Sequence, residues 1–110
     1  MSKYGNRKTD GFDSAKEARF AKKLEMLRHA EDNTQRVADI ERQVRYTLIP
    51  AQRGDDGKVA ERKCDYIADF RVTYADGRQE VIDVKGYKTA DYIIKRKLMR
   101  YVHGITVREV

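Results

Sequence analysis

Apolar residues recur along the chain in two rhythms separated by polar stretches. In the first segment Phe20, Leu24 and Leu27, with Ala18 and Ala21, follow at three- and four-residue spacing, while Arg19, Lys22, Lys23 and Glu25 fill the other face. That spacing predicts an amphipathic helix from about Asp13-Ser14 to His29. Ser14-x-x-Glu17 at its start has the pattern of a capping box. Residues 31–39 are polar and turn-like at first, with Val37 and Ile40 touching a core later. Val44, Tyr46 and Leu48 then alternate with Arg45 and Thr47 up to Pro50, which predicts a first strand. The Arg53-Gly54-Asp55-Asp56-Gly57-Lys58 stretch within residues 51–61 reads as a solvated loop. Cys64 to Tyr74 forms a second strand with Ala68, Phe70, Val72 and Tyr74 on one face. Asp76-Gly77 turns the chain, and Glu80 to Lys85 returns as a third strand broken by Gly86. Thr89 or Asp91 caps a second helix from Tyr92 to about Val102, with Ile94, Leu98, Tyr101 and Val102 as its apolar stripe and Gly104 in the C-cap role. Ile105, Val107 and Val110 make a short last strand. The order α-β-β-β-α-β, with hairpins and then a helical crossover, predicts an α/β single domain: a mixed four-stranded sheet flanked by helices.

Register decides what the central hairpin can do. A two-residue Asp76-Gly77 loop would pair Phe70 with Asp83. A three-residue loop, with Gly77 as a left-handed bulge residue, pairs Asp69 with Asp83. In the second register Ala68 faces Val84 and Phe70 faces Ile82, which collects the apolar side chains for the core. Ile67, Asp69 and Arg71 then share the opposite face with Val81, Asp83 and Lys85. A one-residue slip inverts every side chain, so core burial favours this register.

Asp69 and Asp83 then stand with Cα atoms roughly 4.5–5.5 Å apart. Two carboxylates that close need a cation or a shared proton. Lys85 follows on the same face, roughly 6.6 Å along the strand. Carboxylate oxygens at this spacing suit a hard cation such as Mg²⁺, which keeps most of its waters and takes phosphate as a further ligand. The cation would activate water for attack on a phosphodiester, with Lys85 stabilising the added negative charge. The alternative is a surface hairpin whose aspartates form weak salt bridges with Arg71 and Lys85.

Composition narrows the setting. The chain has 110 residues, 24 Lys plus Arg against 18 Asp plus Glu, and a formal charge of +6. No stretch approaches the roughly 20 apolar residues of a membrane span, and the start lacks a signal-peptide apolar core. A single cysteine, Cys64, excludes an intrachain disulfide and a cysteine-based zinc site. A basic cytoplasmic protein is the expectation, with a polyanion as partner. Residues 1–11 carry Lys3, Arg7 and Lys8 and read as a flexible basic arm ahead of a domain over 12–110. The second helix carries Lys95, Arg96, Lys97 and Arg100, preceded by Lys88. These cations, with Arg53 and Lys58, either form solvated faces or contact DNA phosphates. Cys64, Tyr46, Tyr66, Tyr74, Tyr92 and Tyr101 are read as packing or core-edge residues, and His103 as a residue of a helix C-terminus.

The segments Tyr66-Ile67-Ala68-Asp69-Phe70 and Val81-Ile82-Asp83-Val84-Lys85-Gly86 resemble the D…(D/E)xK motif of the PD-(D/E)xK nuclease superfamily. Phe12-Asp13-Ser14-x-x-Glu17-Ala18, Tyr4-Gly5-Asn6 and Lys95-Arg96-Lys97 extend the likeness to small phage-type endonucleases related to Holliday-junction resolvases. Ala68 stands where many members have proline, and Asp83 where many have glutamate. The resemblance implies a restriction-endonuclease-like core and a Mg²⁺- or Mn²⁺-dependent endonuclease of a bacterial or phage-infected cell, acting on branched or duplex DNA, with no membrane partner. It implies that Glu17, Asp69, Asp83 and the Val84 carbonyl hold metal and that Lys85 acts in catalysis. Glu17 thus has two readings, helix cap and metal ligand, and Gln43 stands where related enzymes often place a polar residue. Resolution of a junction needs two symmetric cuts, hence a homodimer. A nicking or packaging-associated phage nuclease and a non-catalytic DNA-binding module are the alternatives.

Overall fold

The computed structural model describes residues 11, 12 and 14–110, so Lys3, Arg7 and Lys8 lie outside it. The elements are α1 (Ala15–Met26), β1 (Val37–Ile49), β2 (Gln52–Arg53), β3 (Val59–Glu61), β4 (Cys64–Tyr74), β5 (Gln79–Asp83), α2 (Ala90–His103) and β6 (Arg108–Glu109). The main sheet has the order β1-β4-β5-β6, and β2 and β3 form a separate antiparallel ribbon. β5 and β6 run parallel, with Ile82 opposite Arg108 and Asp83 opposite Glu109. The predicted α/β architecture with a mixed four-stranded sheet and two helices is therefore present. Among the described residues, no helix is long and apolar enough to cross a membrane.

Two compact units make up the chain. One comprises residues up to Glu41 with Arg71–Glu80; the other comprises Arg42–Phe70 with Val81–Val110. In the first, the Ser14 hydroxyl accepts from Glu17 N–H at 3.0 Å and caps α1, so the Ser14 half of the capping box forms. Glu17, Ala18 and Leu24 are the buried residues of α1, which closes in a 3₁₀ turn over Leu27–His29. The hairpin closes as the three-residue loop predicts: Tyr74 N–H donates to Arg78 O at 2.8 Å, Gly77 N–H donates to Tyr74 O at 2.9 Å, and Gly77 has φ +89°. Ala75 N–H donates to Arg36 O, and the Arg78 guanidinium donates to Thr34 O, so the turn is tied to the polar segment before β1.

In the second unit Leu48, Tyr66, Ala68, Val81, Tyr92, Met99 and Val107 form one apolar cluster, with Cys64, Ile93, Leu98 and Ile105 packed against it. Cys64 thus serves in packing, as expected. Thr89 caps α2 by accepting from Tyr92 N–H at 3.2 Å, and Gly104, at φ +69°, ends it. His103 closes α2, and its Nε2–H donates to Thr47 O at 2.7 Å.

Four expectations need correction. Residues 51–61 are not all loop, because β2 and β3 pair within them, although every residue there is exposed. β1 begins at Val37 rather than Val44; Gln43, at φ +53°, interrupts the alternation and hid the upstream half. The buried face of α2 is not Ile94, Tyr101 and Val102, which are exposed, but Tyr92 and Met99. Finally, Val81 does not turn away from the core: it packs with Tyr66 and Ala68. Val81, Ile82 and Asp83 are buried in succession, and successive strand residues point to opposite faces. Both faces of β5 are therefore covered, and an apolar-in, polar-out alternation does not apply to it.

Candidate active site

All the side chains of the site belong to the second unit and come from β4, the end of β5, α2 and β6. Asp83 is the last residue of β5 and is only 2% exposed. Its main-chain carbonyl accepts from Val110 N–H at 3.0 Å, and Lys85 N–H donates to Val110 O at 3.1 Å, which fixes the strand end against the C-terminal segment. The Tyr66 hydroxyl donates to Asp83 Oδ2. Lys85 Nζ lies 3.3 Å from Asp83 Oδ1. Asp69 Oδ2 accepts from Val84 N–H at 2.8 Å, so the backbone leaving β5 orients the second carboxylate. The Asp69 carboxyl beside Asp83 disfavours ionisation of Asp83.

These contacts set the electrostatics. Burial pushes the Asp83 carboxyl up to about 6, and the bond to Asp69 adds to the rise, while the Tyr66 hydroxyl and the Lys85 charge oppose it. Burial, then the bond to Asp83, raises the Tyr66 phenol, so Tyr66 stays a donor. Lys85 Nζ also lies 4.1 Å from the centroid of the Tyr92 ring, a cation–π contact that fixes the ammonium between ring and carboxylate. The Tyr92 hydroxyl in turn donates to Glu109 Oε2 at 2.7 Å. Glu109 further takes Arg96 Nη1 at 3.0 Å and Lys88 Nζ at 3.0 Å. The Tyr92 hydroxyl first, and then the two cations, hold its carboxyl down at about 2.

A cavity of about 470 Å³ opens beside this group, with Tyr66, Asp83, Lys85 and Tyr92 in its walls and Arg45 and Lys95 among the cations lining it. Arg45 Nη1 and Lys63 Nζ lie 2.9 and 3.2 Å from Asp65 Oδ2, and the Arg45 bond holds the Asp65 carboxyl below its ordinary range.

Of the residues expected at the site, Asp69, Asp83, Val84 and Lys85 come together. Lys95 lines the cavity, whereas Lys88 and Arg96 are occupied by Glu109. Arg100 lines a different groove on α2. Glu17 is buried on α1 in the other unit. Three residues were not anticipated: Tyr66, Tyr92 and Glu109. Glu109 enters only through the parallel register that sets it opposite Asp83, and no local pattern announces that pairing. Tyr66 was read as a core edge, which is correct for its ring and leaves out the hydroxyl.

The carboxylate pair fits a divalent cation on its own chemistry. Two carboxylates side by side, one of them buried and resisting ionisation, offer oxygen donors whose repulsion a hard ion would relieve. Among the described residues, no group of three or more His, Cys, Asp or Glu is arranged to hold a metal, so the side-chain carboxylates brought together here are Asp69 and Asp83. Mg²⁺ is commonly bound through one or two carboxylates with waters and phosphate completing the shell.

Comparison with curated proteins and with solved structures gives no match. A family model described as "Protein of unknown function (DUF1064)" matches residues 1–108. With nearly its whole length matched, the chain belongs to the DUF1064 family.

Proposed function

We propose that the chain is a metal-dependent endonuclease that hydrolyses phosphodiester bonds in DNA. One observation carries the reading: buried Asp83 with half-buried Asp69 beside it and Lys85 3.3 Å away, at a cavity that Lys95 also lines. Asp69 and Asp83 would hold Mg²⁺ or Mn²⁺. When bound, the ion would supply positive charge to the phosphate and lower the pKa of water. Val84 N–H and the Tyr66 hydroxyl orient the two carboxylates. Tyr92 holds the Lys85 ammonium where it can face a phosphate once Asp83 is neutralised otherwise. Lys95 supplies attraction for the polyanion, and its contact goes to a phosphate rather than to a base. The resemblance to PD-(D/E)xK enzymes extends the proposal to branched DNA and a homodimer.

The test incubates the protein with four-way, flap and linear duplex DNA under Mg²⁺, Mn²⁺ or EDTA, beside Asp83→Ala and Lys85→Met. Symmetric junction cuts that need metal and vanish in Asp83→Ala support the whole proposal. Cuts in every duplex support a general nuclease. Loss of a positioned charge at Lys85 should slow cleavage on the order of 10²-fold or more. Binding without cutting by the wild type under every metal would end the enzyme reading. The metal role that the resemblance implies for Glu17 is decided by the same titration on Glu17→Gln.

A further inference from the structure

A second concavity lies on α2, larger than the one at Asp83, and the proposed chemistry does not use it. It measures about 560 Å³ and is lined by Arg96, Lys97, Arg100 and Tyr101 from the helix and by Thr106 and Val107 beyond it. The size lies within the roughly 300–1,000 Å³ of sites that hold small organic groups. Its second wall follows from the helix ending. Gly104 takes φ +69°, its N–H donates to Arg100 O at 3.0 Å, and Ile105 N–H donates to Met99 O at 3.2 Å. This αL ending reverses the chain. Val107 is buried in the apolar cluster and anchors that wall.

Two properties of the groove point to one class of ligand. First, Tyr101 is 88% exposed, so its ring presents an aromatic surface that the fold does not use. Second, three of the six lining residues are cations and none is an acid. Glu109 neutralises Arg96 in part, and Lys97 and Arg100 project beside the ring. A flat ring flanked by cations suits a base attached to phosphates. Bases inside a duplex are stacked on each other and offer no free face to tyrosine, whereas an unpaired base does. A second copy of the chain fits less well. A two-fold contact through this face would set Lys97 and Arg100 near their own counterparts, and like charges oppose such a contact.

We infer that this groove binds an unpaired nucleotide of a nucleic-acid strand, with the base stacked on Tyr101 and the phosphates met by Lys97 and Arg100. The inference rests on the reading that the chain acts on DNA, and it names the part of the substrate that the second groove receives. Tyr92 at the first cavity and Arg100 at the second are eight residues apart on α2, or about 12 Å along the axis. An extended single strand advances further per nucleotide than the about 3.4 Å of a stacked duplex, so the span is a few nucleotide steps at most. The substrate is therefore DNA with unpaired nucleotides a few steps from the bond to be cut, as at a flap or an opened junction.

The test measures binding in EDTA, so that cleavage plays no part. A labelled oligothymidylate is compared by fluorescence anisotropy with an abasic oligomer of the same length, and poly-glutamate serves as a competitor. Stacking predicts about ten-fold tighter binding of the oligothymidylate. Tyr101→Ala should erase that preference and Tyr101→Phe should keep it; the residue is exposed, so folding is not at risk. Lys97→Ala and Arg100→Ala should weaken both oligomers alike and flatten the salt dependence. Equal affinity for the abasic strand, an unchanged preference in Tyr101→Ala, or equal competition by poly-glutamate would overturn the inference. So would loss of self-association in Tyr101→Ala with DNA binding intact. Because no cleavage is read, a ten-fold preference in a protein that never cuts DNA would sink the nuclease reading and leave this one standing.

Discussion

Asp83→Asn should make the protein more stable at pH 8 and leave it nearly unchanged at pH 4. The reason lies in where Asp83 stands. It is buried at the end of β5, has the Asp69 carboxyl beside it, and has its own carboxyl pushed from the ordinary 3.8 up to about 6. An acid whose folded value lies above its unfolded value binds its proton more tightly in the fold. Its contribution is therefore favourable below about 4 and is lost as pH rises through about 6. The full interval corresponds to about 3 kcal/mol. That value already contains the opposing Lys85 charge, and water reaching the cavity reduces the net effect to about 1–2 kcal/mol. Asparagine keeps the shape of the protonated acid: its carbonyl can accept from Tyr66, and its amide can donate to Asp69. Urea unfolding in EDTA at pH 4, 6 and 8 gives the comparison. Mg²⁺ should then raise the midpoint of the wild type at pH 8, through preferential binding to the folded state, and leave Asp83→Asn where it was. A variant destabilised equally at all three pH values would refute the electrostatic argument. An identical response of both proteins to Mg²⁺ would refute the metal assignment.

Other outcomes follow from single contacts. Glu109→Gln should lower the urea midpoint at pH 7, with the difference narrowing as pH falls from 5 to 3. Its folded value of about 2 lies below the ordinary 4.5, so its contribution is present at neutral pH and lost towards acid. A difference that stays constant with pH would show that the charge is irrelevant. Gly77→Ala should cost about 1–2 kcal/mol in the same assay, because Gly77 has φ +89° and an added Cβ meets nothing within 4 Å, leaving only the backbone penalty. Gly77→Asn should cost less, and an equal cost would point to some other cause. Thr89→Ala should lose about 1 kcal/mol by uncapping α2, seen as faster amide exchange confined to its first turn; uniform acceleration across the chain would contradict a local cap.

The central hairpin was legible because turn chemistry and patterning agreed. Asp76-Gly77 supplied the left-handed residue, and β4 alternates strictly from Tyr66 to Tyr74. Thr89 and Gly104 bounded α2 for the same reason: each meets a requirement of the backbone that few other residues meet. What was not legible depends on pairing between distant segments. The alternation rule fails at Val81-Ile82-Asp83 because an interior strand is covered on both faces. The buried stripe of α2 was misplaced because Arg96 stands between Tyr92 and Met99. Its guanidinium escapes burial by reaching Glu109, a residue thirteen positions away that strand pairing brings close. Asp69 and Asp83 could be put side by side from the hairpin, but their depth could not, since the hairpin alone would have left them on an open face.

The contrast between Asp83 and Glu109 argues against a purely structural account of the first. They face each other in register on adjacent parallel strands, so the backbone treats them alike. Their partners do not. Glu109 receives a phenol and two cations and is held ionised, with its carboxyl at about 2. Asp83 receives a phenol, one cation and a second acid, and its carboxyl rises to about 6. A group placed for stability would have the surroundings of Glu109, because each added donor favours the charged form that the site requires. Asp83 instead sits where the fold is better off if the carboxylate is neutral, and Asp69 deepens the conflict. Two acids pushed in opposite directions at one sheet edge is the pattern expected when one organises the site and the other acts in it. Glu109 fixes Tyr92, and Tyr92 fixes Lys85, while Asp83 is left as the acid whose charge a cation, on the proposed reading, would relieve.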